Sequence, residues 1–252
     1  GLGFDDAGEL VDTIGAQLGD AYWIAEPEDI IASNLAQYDA AEAAGEALSI
    51  RCEVDETRGA TRVSVIAQDH PGLFYRMAGG IHLAGANIID ARIHTTRDGM
   101  ALDNFLVQDP LGRPFDDIHQ LQRIEQAIED ALANRAKLIE KLAARPLPRA
   151  RAEAFDIAPN ILIDNRASNR FTVIEANARD RPALLYDLAF ALFEARVTIH
   201  SAHIATYGER AVDTFYVTDL TGDKIISASR TATLEKLLLD AAAGPRKAAK
   251  AA

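Results

Sequence analysis

The stretch DHPGLF, Asp69 to Phe74, returns 111 residues later as DRPALL, Asp180 to Leu185. Each follows a run that reads as a strand and opens a run that reads as a helix. The first backbone N–H groups of a helix have no intrahelical partner and carry partial positive charge. They are suited to the carboxylate of a small ligand. Gly72 lets a ligand approach the backbone closely, and Asp69 can accept from an amino or amide group. The same residues also fit plain capping, because Asp followed by Pro is common where helices begin. The local residues leave both readings open.

The elements that position these turns form a repeat. At an offset of 111, Asp69, Pro71, Leu73, Tyr75, Ala78, Ala84, Ile88 and Ala91 match Asp180, Pro182, Leu184, Tyr186, Ala189, Ala195, Ile199 and Ala202. After a one-residue gap the offset is 110, and Asp103, Phe105, Val107 and Gly112 match Asp213, Phe215, Val217 and Gly222. Each copy reads strand, helix, two tightly joined strands, helix. Leu73, Met77, Ile81 and Ala84 have helical spacing, as do Leu184, Leu188, Leu192 and Ala195. The first hairpin turn holds Asp98 and Gly99, a pair suited to positive backbone angles, and the second holds Gly208 and Glu209. The last helix of the first copy is expected from about Asp116 to Leu142. That of the second copy stops at Gly244 and Pro245.

The order β-α-β-β-α lacks one strand of a ferredoxin-like fold. A strand-like run precedes each repeat, Leu48–Val54 and Asn160–Asn165. An antiparallel hairpin from that run into the first repeat strand supplies the missing edge. The fold class is therefore α+β: two permuted ferredoxin-like domains behind an N-terminal helical leader. The expected divisions are a leader over 1–47, a first domain over 48–142, a linker over 143–159, a second domain over 160–244 and a tail over 245–252. The leader reads as helical from near Pro27. Trp23, Ile24, Ile30, Ile31, Leu35 and Tyr38 are its candidate packing residues. In isolation it has little to cover, so it reads as the end of an upstream domain, and the chain, which begins with Gly, reads as a fragment.

Charge and cysteine usage narrow the function. Eleven acids and no Lys or Arg precede Arg51, and the rest is nearly neutral, with 27 acids against 26 bases. Neither part supplies the basic field that nucleic-acid binding needs, and no nucleic-acid partner is expected. No apolar run approaches the length of a membrane span, and no membrane partner is expected. Cys52 is the only cysteine, so no intrachain disulfide forms. That fits a cytoplasmic protein. His200 and His203, three apart on an expected strand, face opposite sides and share no ion. No metal site and no catalytic constellation is recognised.

The paired β-α-β-β-α unit with Asp-x-Pro-Gly-Leu at its first strand–helix turn resembles the ACT domain, a small-molecule sensing module. The segments from Asp69 to Asp109 and from Asp180 to Asp219, with SAHIATYGERAVDTFYVTD in the second, resemble more closely the tandem C-terminal ACT domains of bacterial bifunctional protein-PII uridylyltransferase/uridylyl-removing enzymes. The resemblance runs from about Tyr22 to Ala241. It implies a glutamine-sensing regulatory region, not itself an enzyme, of a protein that modifies PII in nitrogen metabolism. It also implies PII as a partner through the parent enzyme and a homodimer through the ACT domains. This chain carries no cofactor on that reading, and the parent's catalytic domains need a divalent metal such as Mg. The implied ligand positions in the first copy are Asp69, His70, Pro71, Gly72, Leu73, Phe74, Asn87 and Ile88. In the second they are Asp180, Arg181, Pro182, Ala183, Leu184, Thr198 and Ile199. Ala183 stands where the pattern has Gly, which makes the second the weaker site. The alternatives are a PII-docking or dimerisation module without a ligand, and a sensor of another amino acid.

Overall fold

The computed structural model describes residues 17–18, 22–23, 26–143 and 157–244. The expected tail, Ile24 and most of the expected linker lie outside them. The first copy comprises α1 (Glu28–Ala44), β1 (Leu48–Asp55), β2 (Ala60–Gln68), α2 (Leu73–Leu83), β3 (Asn87–Thr95), β4 (Met100–Gln108), α3 (Ile118–Leu132) and α4 (Leu138–Ala143). The second comprises β5 (Asn160–Asp164), β6 (Thr172–Arg179), α5 (Leu184–Glu194), β7 (Val197–Tyr207), β8 (Arg210–Asp219) and α6 (Ala228–Ala243).

The strands form one eight-stranded antiparallel sheet in the order β1-β2-β4-β3-β7-β8-β6-β5. The two leading hairpins pair as the sequence implies, Leu48 with Ala67 through Asp55 with Ala60, and Asn160 with Asn177 through Asp164 with Val173. Each half is thus a ferredoxin-like α+β unit with its edge strand moved to the front. The halves join where β3 pairs with β7, from Asp90 with Ala205 to His94 with Ser201.

Strand alternation separates two faces. Val63, Val65, Phe105, Ile174 and Phe215 turn to one face and pack under α2, α3, α5 and α6 in a single apolar core. Phe74 of α2 reaches across the seam, its ring 6.1 Å from that of Phe105 and 6.5 Å from that of Phe215. The opposite face is treated differently in the two copies. In the first, α1 lies over it, and Leu35, Tyr22 and Leu18 bury Ile66 and Leu102. Gln37 donates to the Ser49 and Ser64 carbonyls. The leader therefore does have something to cover, contrary to the expectation from its composition alone. The effect is visible in the strands: β2 is buried on both faces along most of its length, whereas β6 alternates buried and half-buried residues over its first half.

Three local expectations need correction. The long helix of the first copy breaks. Asp117 caps α3 by accepting from the His119 and Gln120 amides, but Asn134 and Lys137 take φ of 58° and 46° and divide the chain into α3 and α4. A positive φ ends the i→i−4 ladder, and Asn tolerates it better than most residues. In the first hairpin turn Gly99 alone is left-handed, at φ 85°; the Gly99 amide donates to the Thr96 carbonyl at 3.1 Å, so Arg97 and Asp98 are the central residues. Finally, β7 bulges between Ile199 and Ser201. The extra residue, His200, contacts Thr218 Oγ1 at 2.8 Å and the Phe171 ring on the face away from the helices. The bulge thus places His200 on the same face as His203.

Helix α2 carries adjacent glycines for packing. A Cβ on Gly80 would sit 2.8 Å from the Ala127 carbonyl oxygen of α3. Backbone gives way poorly, so Gly80→Ala is expected to lower stability by about 1–3 kcal/mol, the usual range for overpacking. Urea denaturation measures this directly; an unchanged midpoint would show that α2 and α3 are not packed as closely as described.

Candidate functional site

Each turn named at the outset is held by its neighbouring hairpin. The Asp69 amide donates to the Gly99 carbonyl at 2.8 Å, and the Asp180 amide to the Glu209 carbonyl at 2.8 Å. The turns then close, Leu73 onto His70 at 3.0 Å and Leu184 onto Arg181 at 3.1 Å. Gly72 and Ala183 precede the helices in the left-handed region, at φ 89° and 62°. For Ala183 that conformation costs on the order of 1–2 kcal/mol. Neither helix has a side-chain cap. The simple capping role for Asp69 therefore fails: its Oδ2 accepts from Thr95 Oγ1 at 3.1 Å instead. The Leu73 and Leu184 amides are used in these closures, so the amides that follow them at the start of α2 and α5 are the ones available to a ligand.

Gly72 lines the first cavity, and its φ of 89° and its packing both call for glycine. A Cβ there would meet Tyr75 Cε1 at 2.6 Å and Phe193 Cε2 at 3.3 Å. Two aromatic rings, one from each copy, close over it.

Two cavities of about 150 Å³ each lie between the copies. One is lined by Asp69–Tyr75 together with Phe193, Thr198 and Ile199. The other is lined by Asp180–Tyr186 together with His82, Asn87 and Ile88. The expected residues do meet, but crosswise: the turn of each copy faces the strand start of the other. Assigning Asn87 and Ile88 to the Asp69 turn, and Thr198 and Ile199 to the Asp180 turn, is corrected accordingly. The cause is the seam between β3 and β7. Bulges after Ile88 and Ile199 help, by turning these two residues toward the helix face and the core.

Carboxyl groups dominate the electrostatics. Burial raises Asp69 above the usual carboxylate range, opposed by the Thr95 hydrogen bond and by His70 and His200 nearby. Burial likewise raises Asp180, opposed by its bond to the Arg181 amide and by the Arg181 charge. Behind each stands a second acid that the local motif does not contain. Asp103 is 2% exposed and Asp213 1% exposed, and Oδ1 of each has no hydrogen-bond partner. Burial, then the neighbouring Asp69, pushes Asp103 well above its ordinary value. Burial, then Asp180, pushes Asp213 up to about 8. A sequence signal existed: both acids occupy the core-facing phase of their strands, between Ala101 and Phe105 and between Ala211 and Phe215. Only Asp213 lines its cavity. Arg181 is turned toward α6, donating to the Ala241 carbonyl at 2.5 Å and pairing with Asp187 at 2.7 Å. Helix-start amides and carboxyl groups line the same cavities, Asp69 in the first and Asp180 with Asp213 in the second, a combination that suits a small zwitterion. Among the described residues, no group of three or more His, Cys, Asp or Glu is placed to hold a metal ion.

The chain is 67% identical over 233 residues, 92% of its length, to the bifunctional uridylyltransferase/uridylyl-removing enzyme of Novosphingobium aromaticivorans. It is 64% identical over 95% of its length to that of Erythrobacter litoralis, and 52% identical over 94% to that of Zymomonas mobilis. The chain corresponds to the C-terminal tandem ACT region of these enzymes. It spans about a quarter of the length of these relatives. No protein-family model matches it. Among solved structures, aspartate kinase from Synechocystis aligns with 71% of this chain and 26% of its own, at 17% identity and a TM-score of 0.36.

The buried Asp213 makes stability depend on pH. The folded chain keeps its proton up to about pH 8, whereas an unfolded Asp releases it near pH 4. Between these values the folded state binds more protons, so this contribution is full below the unfolded value and is lost as pH rises toward 8. Asp213→Asn is expected to flatten the fall in urea midpoint between pH 5 and pH 8 and to raise stability at pH 8. An unchanged slope would show that Asp213 ionises normally.

Proposed function

We propose that this region senses an amino acid, glutamine, and regulates an enzyme that attaches UMP to PII signalling proteins and removes it. The effector binds in the two cavities between the copies, its carboxylate on the open amides at the start of α2 or α5 and its amino or amide group toward the acids. The observation that carries this reading is the crosswise construction. A ligand in either cavity touches the helix start of one copy and the strand start of the other, so binding reports on how the copies sit together. The enzymatic reaction and PII come from the resemblance to the relatives' family, and the amino acid from the chemistry of the cavities together with that resemblance.

Titration calorimetry of the chain with glutamine tests the reading. Saturable binding is expected. Asn87→Ala, at an exposed residue of the second cavity, is expected to weaken binding there. Thr198→Val, which removes one hydroxyl from the first, is expected to weaken binding in that cavity. Each loss is expected at about threefold to tenfold, the range for one hydrogen bond. If glutamine gives no heat but another amino acid of a full panel does, the effector assignment is wrong. If no amino acid binds while PII associates with the chain, the docking alternative replaces the sensor.

A further inference from the structure

We propose that Asp213 determines specificity in the second cavity: it accepts a hydrogen bond from the protonated amino group of the ligand and yields a proton to solvent as that group enters. This deepens, and rests on, the reading of the cavity as an amino-acid site.

The argument begins with an anomaly. Asp213 lies on the helix side of β8, beside the turn that opens α5, and forms part of the cavity wall. It is almost wholly buried, and Oδ1 has no partner. An ionised carboxylate in that position lacks both a countercharge and hydrogen bonds, which is the arrangement proteins avoid most strongly. The flanking strands offer no relief, since its neighbours across the ladders are Ala176 of β6 and Ile204 of β7. The titratable or charged groups facing the cavity are Asp180 and Arg181 of the turn, Tyr186 of α5 and His82 of α2. Asp180 repels a second negative charge. Arg181 pairs with Asp187 and donates to the Ala241 carbonyl, with its buried Nε left without a partner and its charge acting on Asp180. Without a ligand the group is therefore held as the neutral acid, in keeping with its raised pKa of about 8.

A ligand ammonium changes that balance. It supplies the positive charge and the donors that the carboxylate lacks, so Asp213 ionises and its proton leaves to water. The ligand keeps all three N–H bonds, and no covalent bond within it changes. The cavity thus discriminates against a ligand that carries the carboxylate and side chain but no amino group. The first cavity differs. Asp103 holds the equivalent strand position but does not reach the cavity wall, so proton release belongs to the second cavity alone.

The test uses the chain carrying Thr198→Val, which weakens the first cavity, and reads the binding event that survives Thr198→Val but weakens when Asn87→Ala is added. Glutamine and its desamino analogue, 4-carbamoylbutanoate, are titrated at pH 7 in buffers of different ionisation enthalpy. About one proton released per glutamine is expected, with the analogue bound about tenfold or more weaker, as for loss of a hydrogen bond to a charged group. Asp213→Asn is expected to abolish the release and to narrow the gap between the two ligands. Glutamine binding without proton release overturns the proposal even if the Asp213→Asn variant fails to fold. Equal affinity for glutamine with and without the Asp213→Asn substitution also overturns it. In both cases the amino-acid site itself stands. If another amino acid binds in place of glutamine, the same measurement with that ligand and its desamino analogue decides. If no amino acid binds at all, the site reading and this inference fall together.

Discussion

Five backbone pairs between β3 and β7, from Asp90 with Ala205 to His94 with Ser201, hold the two copies in a fixed relation. At their centre Arg92 faces His203, and these two residues occupy the same position in the repeat. The outer pairs are related in the same way: Ala91 faces Ile204, and the repeat equivalents of these two, Ala202 and Ile93, also face each other. The seam therefore has the self-complementary character of a two-fold interface, built within one chain. Both cavities follow from it. A local two-fold carries the turn of each copy to the strand start of the other, and without the seam each turn would face solvent. The helices complete the joint, with Tyr75 of α2 set among Tyr186, Phe190 and Phe193 of α5 at ring separations of 5.0–6.0 Å.

Features that oppose stability gather around this joint. Helices α2 and α5 begin without side-chain caps, Ala183 sits in a left-handed conformation, and Asp103 and Asp213 are buried with unpartnered oxygens. Each has a remedy available to any sequence: a Ser or Asp at the cap, a Gly at the turn, an apolar residue on the strand. Local rules broken together, at one place and twice over, are the pattern expected around a binding site. A plain helix cap does not account for them. The repeat sharpens the point, because the two buried acids are the same position used twice.

Much of this was legible in the chain. The offset of 111 residues gave the duplication, and the alternating and helical spacings gave the elements and the leading hairpins. Those signals are local, and local periodicity is what a sequence displays directly. The crosswise pairing was not legible, because it depends on which strand edges meet, and β3 and β7 advertise nothing about their partner. The bulges at Ile88 and Ile199 were missed for a related reason. One extra residue reverses the alternation without altering composition, which is how His200 came to share a face with His203. The break after α3 depends on single positive φ values at Asn134 and Lys137, while the apolar spacing runs on through Leu138 and Leu142. The leader read as covering nothing because its partners, Ile66 and Leu102, look like ordinary strand residues until the sheet has a second buried face.

The position of β3 gives the assembly its direction. One end of this strand, at Asn87 and Ile88, lines the second cavity, and its middle forms the seam with β7. Toward its other end, His94 contacts the buried Glu26 carboxylate at 2.8 Å and packs edge-on against Tyr22, while Arg92 lies 3.7 Å from the same carboxylate. These contacts tie β3 to the residues that lead into α1. Contact alone conveys nothing; coupling requires that a ligand bind two arrangements of the same element unequally. β3 is the strand that touches the cavity, the other copy and the leader at once. Among the described residues the second copy has no counterpart to the His94 contact, since Ala205 stands where the first has His94. Two cavities related by the repeat thus lie beside sheet halves whose far faces differ among the described residues: in the first, Tyr22, Leu35 and Leu18 bury Ile66 and Leu102.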